Sequence, residues 1–174
     1  MALDVLSQSR CFDGTQLTYQ HRSSETGTMM RFAAFVPPQA RQAPVPVVWY
    51  LSGLTCTEEN FTVKAGAQRI AAELGLLLIA PDTSPRGEEA HARCNWPFCS
   101  DSCALLEDGA RLPELLVDQG TADQFLETQL KPELLERACS RAGIPLKLRI
   151  HEGYDHSYFF ISTFIEDHLR WRSG

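Results

Sequence analysis

The chain has 174 residues, of which 44% are hydrophobic, 22% charged and 9% aromatic. That is enough for one buried core, too little for two ordinary domains, and too apolar for a disordered or fibrous chain. Sixteen Lys and Arg against 22 Asp and Glu leave a net charge of −6, a poor basis for holding a phosphate backbone or an anionic membrane surface, so nucleic acid is excluded as a default partner.

No run approaches the ~20 apolar residues that span a bilayer, and no membrane association is expected. The opening Met1-Ala-Leu-Asp-Val5 lacks the basic region and long apolar run of a secretory signal, which points to the cytoplasm. Six cysteines (Cys11, Cys56, Cys94, Cys99, Cys103 and Cys139) are irregularly spread. Cys94, Cys99 and Cys103 lie near one another, but no His pair or second Cys-x-x-Cys completes a four-ligand set. Free thiols in a reducing compartment are the expectation, with no metal and no cofactor.

In chain order, Thr15–His21 and Met29–Val36 read as two short strands, the second stopped by Pro37-Pro38. Val47–Leu51 is apolar throughout, as in a parallel strand buried on both faces. After a loop at Ser52-Gly-Leu-Thr55, the spacing of Val63, Ile70, Ala71 and Leu74 predicts a helix over 61–74, with Gly75 as its stop. Leu76–Ala80 is a second buried strand, so this stretch makes a βαβ unit. Residues 88–101 read as loop, 102–110 as a short helix and 114–117 as a strand. Pro132–Ala142 is a helix with Leu134, Leu135, Ala138 and Cys139 on one face and Gly143 beyond it. Leu146–Ile150 alternates apolar and charged residues as an edge strand does, and an amphipathic helix closes the chain over about 158–171. The expected fold is α/β, with 47–51, 76–80, 114–117 and 146–150 in one mostly parallel sheet flanked by helices.

Ligands of open α/β sheets bind at the carboxyl ends of the strands. Two loops there hold titratable residues: Asp118-Gln-Gly-Thr-Ala-Asp123-Gln-Phe125 and Glu152-Gly-Tyr-Asp-His156-Ser157. An Asp followed by a His in this order is the acid–base half of an α/β-hydrolase triad, in which Asp123 would fix the tautomer of His156. The alternative is a carboxylate and an imidazole that merely cap local backbone, and spacing alone does not separate the two. Ser52-Gly53-Leu54 sits where such folds place an oxyanion-hole amide, here that of Leu54, although an ordinary strand-to-helix turn reads the same way.

Leu51-Ser-Gly-Leu-Thr-Cys-Thr57 with Glu59-Asn-Phe61, Lys64-Ala-Gly-Ala-Gln-Arg69, Ala80-Pro-Asp-Thr-Ser-Pro-Arg-Gly87, Asp118-Gln-Gly120 and Gly153-Tyr-Asp-His-Ser-Tyr158 resemble the S-formylglutathione hydrolases of the esterase D family. The resemblance runs from about Phe12 to Gly87 and from about Asp101 to Arg170. It implies a cytosolic α/β-hydrolase that cleaves the thioester S-formylglutathione to glutathione and formate, the last step of formaldehyde detoxification. By position it implies Asp123 as triad acid, His156 as triad base, Leu54 as an oxyanion-hole amide and Cys56 as a thiol near the site that is not the nucleophile. It implies a small glutathione thioester as partner, with self-association into a homodimer left open.

The family's nucleophile sits in Gly-His-Ser-Met-Gly-Gly. In this chain no serine, and no cysteine, has glycine at both −2 and +2. Residues 88–117 number 30, whereas one βαβ unit alone takes about 30 or more. The expectation is therefore a single hydrolase domain, 1–174, shortened between about 88 and 101 and lacking the nucleophile elbow. The competing readings are an active thioesterase, a non-catalytic form of the same fold, and a thiol-based redox or metal protein built on Cys94, Cys99 and Cys103. The last is weakest, because those cysteines sit at and beside the unmatched junction.

Overall fold

The computed structural model describes residues 3–24, 27–53, 56–82 and 113–173. The expected helix over 102–110, the expected loop over 88–101, Leu54, and the cysteines at 94, 99 and 103 lie outside them. The chain divides into two compact units, residues 1–94 with 165–174, and residues 95–164.

In the N-terminal unit, β1 (Asp4–Cys11), β2 (Gly14–Arg22), β3 (Met29–Val36), β4 (Val47–Trp49) and β5 (Leu77–Pro81) form one sheet in the order β1-β2-β3-β5-β4. The first three pairings are antiparallel, and β4 pairs parallel to β5 through Val47↔Leu77 and Trp49↔Ile79. The sheet is thus mixed, its antiparallel part supplied by the hairpin strands that precede the βαβ unit. Two short helices, α1 (Glu58–Lys64) and α2 (Gln68–Leu74), stand where one was expected. Gly66 breaks them with a left-handed φ of +67°, a conformation that costs glycine little. Gly75 ends α2 in the same region, as anticipated.

One face of this sheet carries the core. Ala33, Phe35, Leu78 and Ala80 are buried, as are Phe61 and Ala65 in and just after α1 and Ile70 and Ala71 of α2. On the other face Leu17 and Ala34 are buried, but toward β4 it is open. Val47, Trp49 and Leu51 are 50%, 65% and 69% exposed, so β4 is an edge strand and not the strand buried on both faces that its composition predicts. An apolar hollow of about 490 Å³ lies on that side, against Phe32, Val47, Trp49, Leu77 and Ile79. The composition of β4 suits a strand with a neighbour on its free edge and a covering layer above it; among the described residues neither is present.

In the C-terminal unit β6 (Leu115–Gly120) pairs parallel to β7 (Leu146–His151) through α3 (Pro132–Ala142). The expected strand at 114–117 runs three residues further, so Asp118, Gln119 and Gly120 are strand residues and the loop begins at Thr121. β6 and β7 form a two-stranded sheet among the described residues, separate from the five-stranded one. α3 has the predicted bounds, and Gly143 closes it in the left-handed region. Of its expected apolar face only Cys139 is fully buried, while Leu134 is exposed. α4 (Tyr158–Ser173) closes the chain.

Candidate active site

The site is built on the carboxyl ends of β6 and β7. In a parallel pair of this register Asp118 lies opposite Arg149 and Gly120 opposite His151. The two loops that follow are stitched together by two backbone bonds and one to a side-chain hydroxyl. Thr121 N–H donates to the His151 carbonyl at 3.0 Å, Ala122 N–H to the Tyr154 carbonyl at 2.9 Å, and Gly153 N–H to Thr121 Oγ1 at 2.9 Å. This approach requires glycine at 120, since a Cβ there would fall on the Tyr154 carbonyl. Two residues with no sequence proximity, Asp123 and His156, are thereby brought face to face.

His156 Nδ1 lies 2.8 Å from Asp123 Oδ2. The Asp123 side chain is 5% exposed and that of His156 54%, so the carboxylate is enclosed while the imidazole reaches solvent. Burial pushes the Asp123 carboxyl up, but the Phe125 N–H on Oδ1 at 2.9 Å, His156, and Gln119 Nε2 at 3.3 Å together outweigh it and hold the group below the ordinary carboxylate range. An ionised carboxylate only accepts, so Nδ1 of His156 must carry the proton and Nε2 is left with a lone pair. The ring of Phe125 meets His156 edge-on at 4.9 Å and limits its rotation.

The lowered Asp123 carboxyl has a consequence for acid stability. Its stabilising contribution is full above the unfolded-state value of about 3.9 and is lost as pH falls through the lower folded value. Asp123→Asn should therefore flatten the acid limb of stability against pH below about pH 4, as thermal unfolding at stepped pH would report. An acid limb unchanged from wild type would contradict this.

A second polar cluster, invisible to motif reading, backs the loops. Asp118 Oδ1 and Oδ2 accept from Arg149 Nε and Nη2 at 2.5 and 2.6 Å, and His151 Nε2 sits 2.9 Å from Oδ1. The Asp118 side chain is buried. The His151 ring packs against Phe164 at 3.9 Å, Phe160 at 5.8 Å and Tyr154 at 6.1 Å. The signal in sequence was an Asp ending an apolar strand and an Arg in the partner strand, which the edge-strand reading of 146–150 absorbed as solvent-facing charge.

On the N-terminal unit, Thr57 caps α1: its backbone N–H donates to Asn60 Oδ1 at 2.9 Å and its hydroxyl accepts from Glu59 N–H at 3.3 Å. Cys56 is half-buried and its N–H donates to the Gly53 carbonyl at 3.0 Å. Among the described residues no group of three or more His, Cys, Asp or Glu is placed to hold a metal ion, and no helix is long and apolar enough to cross a membrane.

The family model described as "Putative esterase" matches residues 23–111 and 100–171. A curated S-formylglutathione hydrolase from Paracoccus denitrificans is 33% identical over 274 residues, covering 99% of this chain and 98% of that protein. An alignment of 274 positions on a chain of 174 residues leaves at least 100 positions without a residue here. A solved S-formylglutathione hydrolase from Agrobacterium tumefaciens superposes with a TM-score of 0.88 at 31% identity, covering 98% of each chain. One from Staphylococcus aureus, at 12% identity and a TM-score of 0.68 over 99% and 97% of the two chains, agrees in fold. The mixed sheet with flanking helices, the long matched motifs and these relatives lead to one assignment: the chain belongs to the S-formylglutathione hydrolase family of α/β-hydrolase esterases.

Proposed function

We propose that the reaction this fold serves is hydrolysis of S-formylglutathione to glutathione and formate, in the cytoplasm and at the end of formaldehyde detoxification, and that this chain carries the acid–base part of the site without the nucleophile. The observation that supports the reading is the 2.8 Å bond from His156 Nδ1 to an enclosed Asp123 carboxylate. With its proton held on Nδ1, His156 presents Nε2 as the base that would take a serine proton and return it to the departing thiolate of glutathione. Asp123 stabilises the imidazolium so formed without itself being protonated. The Leu54 amide would be one donor to the oxyanion, and the second belongs to the residue after the nucleophile. We read the two units as parts of one hydrolase domain shortened between about 88 and 101.

A second reading, a non-catalytic form of the enzyme, is favoured by a specific observation: no serine or cysteine in the 174 residues is flanked by glycines as an elbow requires. One experiment joins the two readings. The segment of the Paracoccus relative that carries its elbow is inserted between Gly87 and Asp118, and hydrolysis of S-formylglutathione is measured. The restored chain is expected to turn over, and His156→Ala within it to lose on the order of 10⁴-fold or more in kcat. A restored, folded chain whose turnover survives His156→Ala would refute the assignment of the base.

A further inference from the structure

Gln119 stands out among the polar residues of the C-terminal unit. It is a buried strand residue, and its amide reaches the Gly120 carbonyl and the Asp123 side chain. Its Nε2 lies 3.0 Å from the Gly120 carbonyl and 3.3 Å from Asp123 Oδ2. Both neighbours only accept, so the amide nitrogen, with its two protons, must face them, and the orientation of the amide is settled by chemistry. The carboxylate of Asp123 is then held at three points. Phe125 N–H fixes Oδ1, while Gln119 and His156 share Oδ2.

The share of each contact can be argued from geometry. Phe125 N–H alone leaves the carboxylate free to rotate about the axis through Oδ1. A second donor on Oδ2, anchored in β6 and not in the loop, removes that rotation before the imidazole arrives. His156 cannot supply this restraint itself, since its ring is half exposed and lies on a different loop. We infer that Gln119 is a positioning residue, holding the Asp123 carboxylate so that Oδ2 faces His156 Nδ1 and selects its tautomer. This rests on the pairing proposed above and deepens it. His156 contacts Asp123 and the uncharged ring of Phe125; Asp155, one residue away, is engaged by the Ser157 hydroxyl at 2.5 Å.

The test is the imidazole nitrogen spectrum of the full 174-residue chain, ¹⁵N-labelled, at a pH where the rings are neutral. Wild type is compared with Gln119→Met, which keeps length and volume but donates nothing, with Gln119→Ala, and with Asp123→Asn as the reference for full loss. His151, held in the same unit by Asp118 through Nε2, is an internal control. The expected result is a His156 ring protonated almost wholly at Nδ1 in wild type, and moved at least halfway toward the Asp123→Asn pattern in both Gln119 variants, with His151 unchanged. Gln119→Met retaining the wild-type His156 signals would overturn the proposal, because packing alone would then suffice. Equal displacement of His151 and His156 would overturn it too, as general loosening of the unit. If wild-type His156 itself already matched Asp123→Asn, the failure would belong to the pairing and not to Gln119.

Discussion

Asp118→Ala is expected to cost the C-terminal unit about 3 kcal/mol, the lower end of what breaking a buried ion pair costs. The lower end applies because the Arg149 side chain is about a quarter exposed (26%), while that of Asp118 is 5% exposed. Truncation does more than delete an attraction. It leaves a guanidinium and the His151 ring without the carboxylate oxygens at 2.5 to 2.9 Å that both use, in a setting that includes the Phe164 ring. Hydrogen exchange at the β6 and β7 amides localises the effect to this unit. The double variant Asp118→Leu/Arg149→Met is expected to recover more than half of the loss, since replacing both charges by apolar groups removes the desolvation penalty along with the attraction. A loss below about 1 kcal/mol in the single variant would place the pair among ordinary surface contacts.

The same cluster shows why parts of the fold and site were legible in the sequence and parts were not. Helix α3 was readable because its start, at a proline in the first turn, and its stop, at Gly143, are local chemistry. Asp123 and His156 were readable as a pair because chain order after two strands restricts where they fall. Strand β1 left no signal: Asp4-Val-Leu-Ser-Gln-Ser-Arg-Cys11 is exposed along nearly its whole length and has no apolar face to alternate. The break between α1 and α2 was averaged away by a helical period that runs through Gly66. β4 was misread as interior because its composition fits a strand with a neighbour on its free edge, and among the described residues none pairs there. Asp118 and Gln119 looked like the start of a loop, polar residues after an apolar run. Their roles depend on Arg149 and His151, some 30 residues away, or on a carboxylate that only the loop geometry brings close.

The largest effect concerns turnover by the chain as it stands: purified protein should hydrolyse S-formylglutathione no faster than buffer holding the same concentration of free imidazole. Loss of the nucleophile alone costs a serine hydrolase on the order of 10⁶ in kcat. Loss of one oxyanion donor costs about 10² to 10³, and on the reading proposed above the second donor is lost with the serine. The two losses are not additive, but either leaves little. What remains on that reading is His156, oriented by Asp123 and more than half exposed, able to activate water as any imidazole does. One residue offers another route. Cys56 is a half-buried thiol of the N-terminal unit, and its thiolate attacking the formyl carbon would expel the thiolate of glutathione. Hydrolysis of the formyl-cysteine would then release formate and restore the thiol. The assay therefore runs the wild-type chain beside Cys56→Ala and His156→Ala, following thioester loss at saturating substrate. All three are expected to coincide with the imidazole blank. Turnover in wild type that vanishes in both variants would instead establish a cysteine-dependent hydrolase that outlived its serine, and turnover that vanishes in His156→Ala alone would mean that the oriented imidazole activates water by itself.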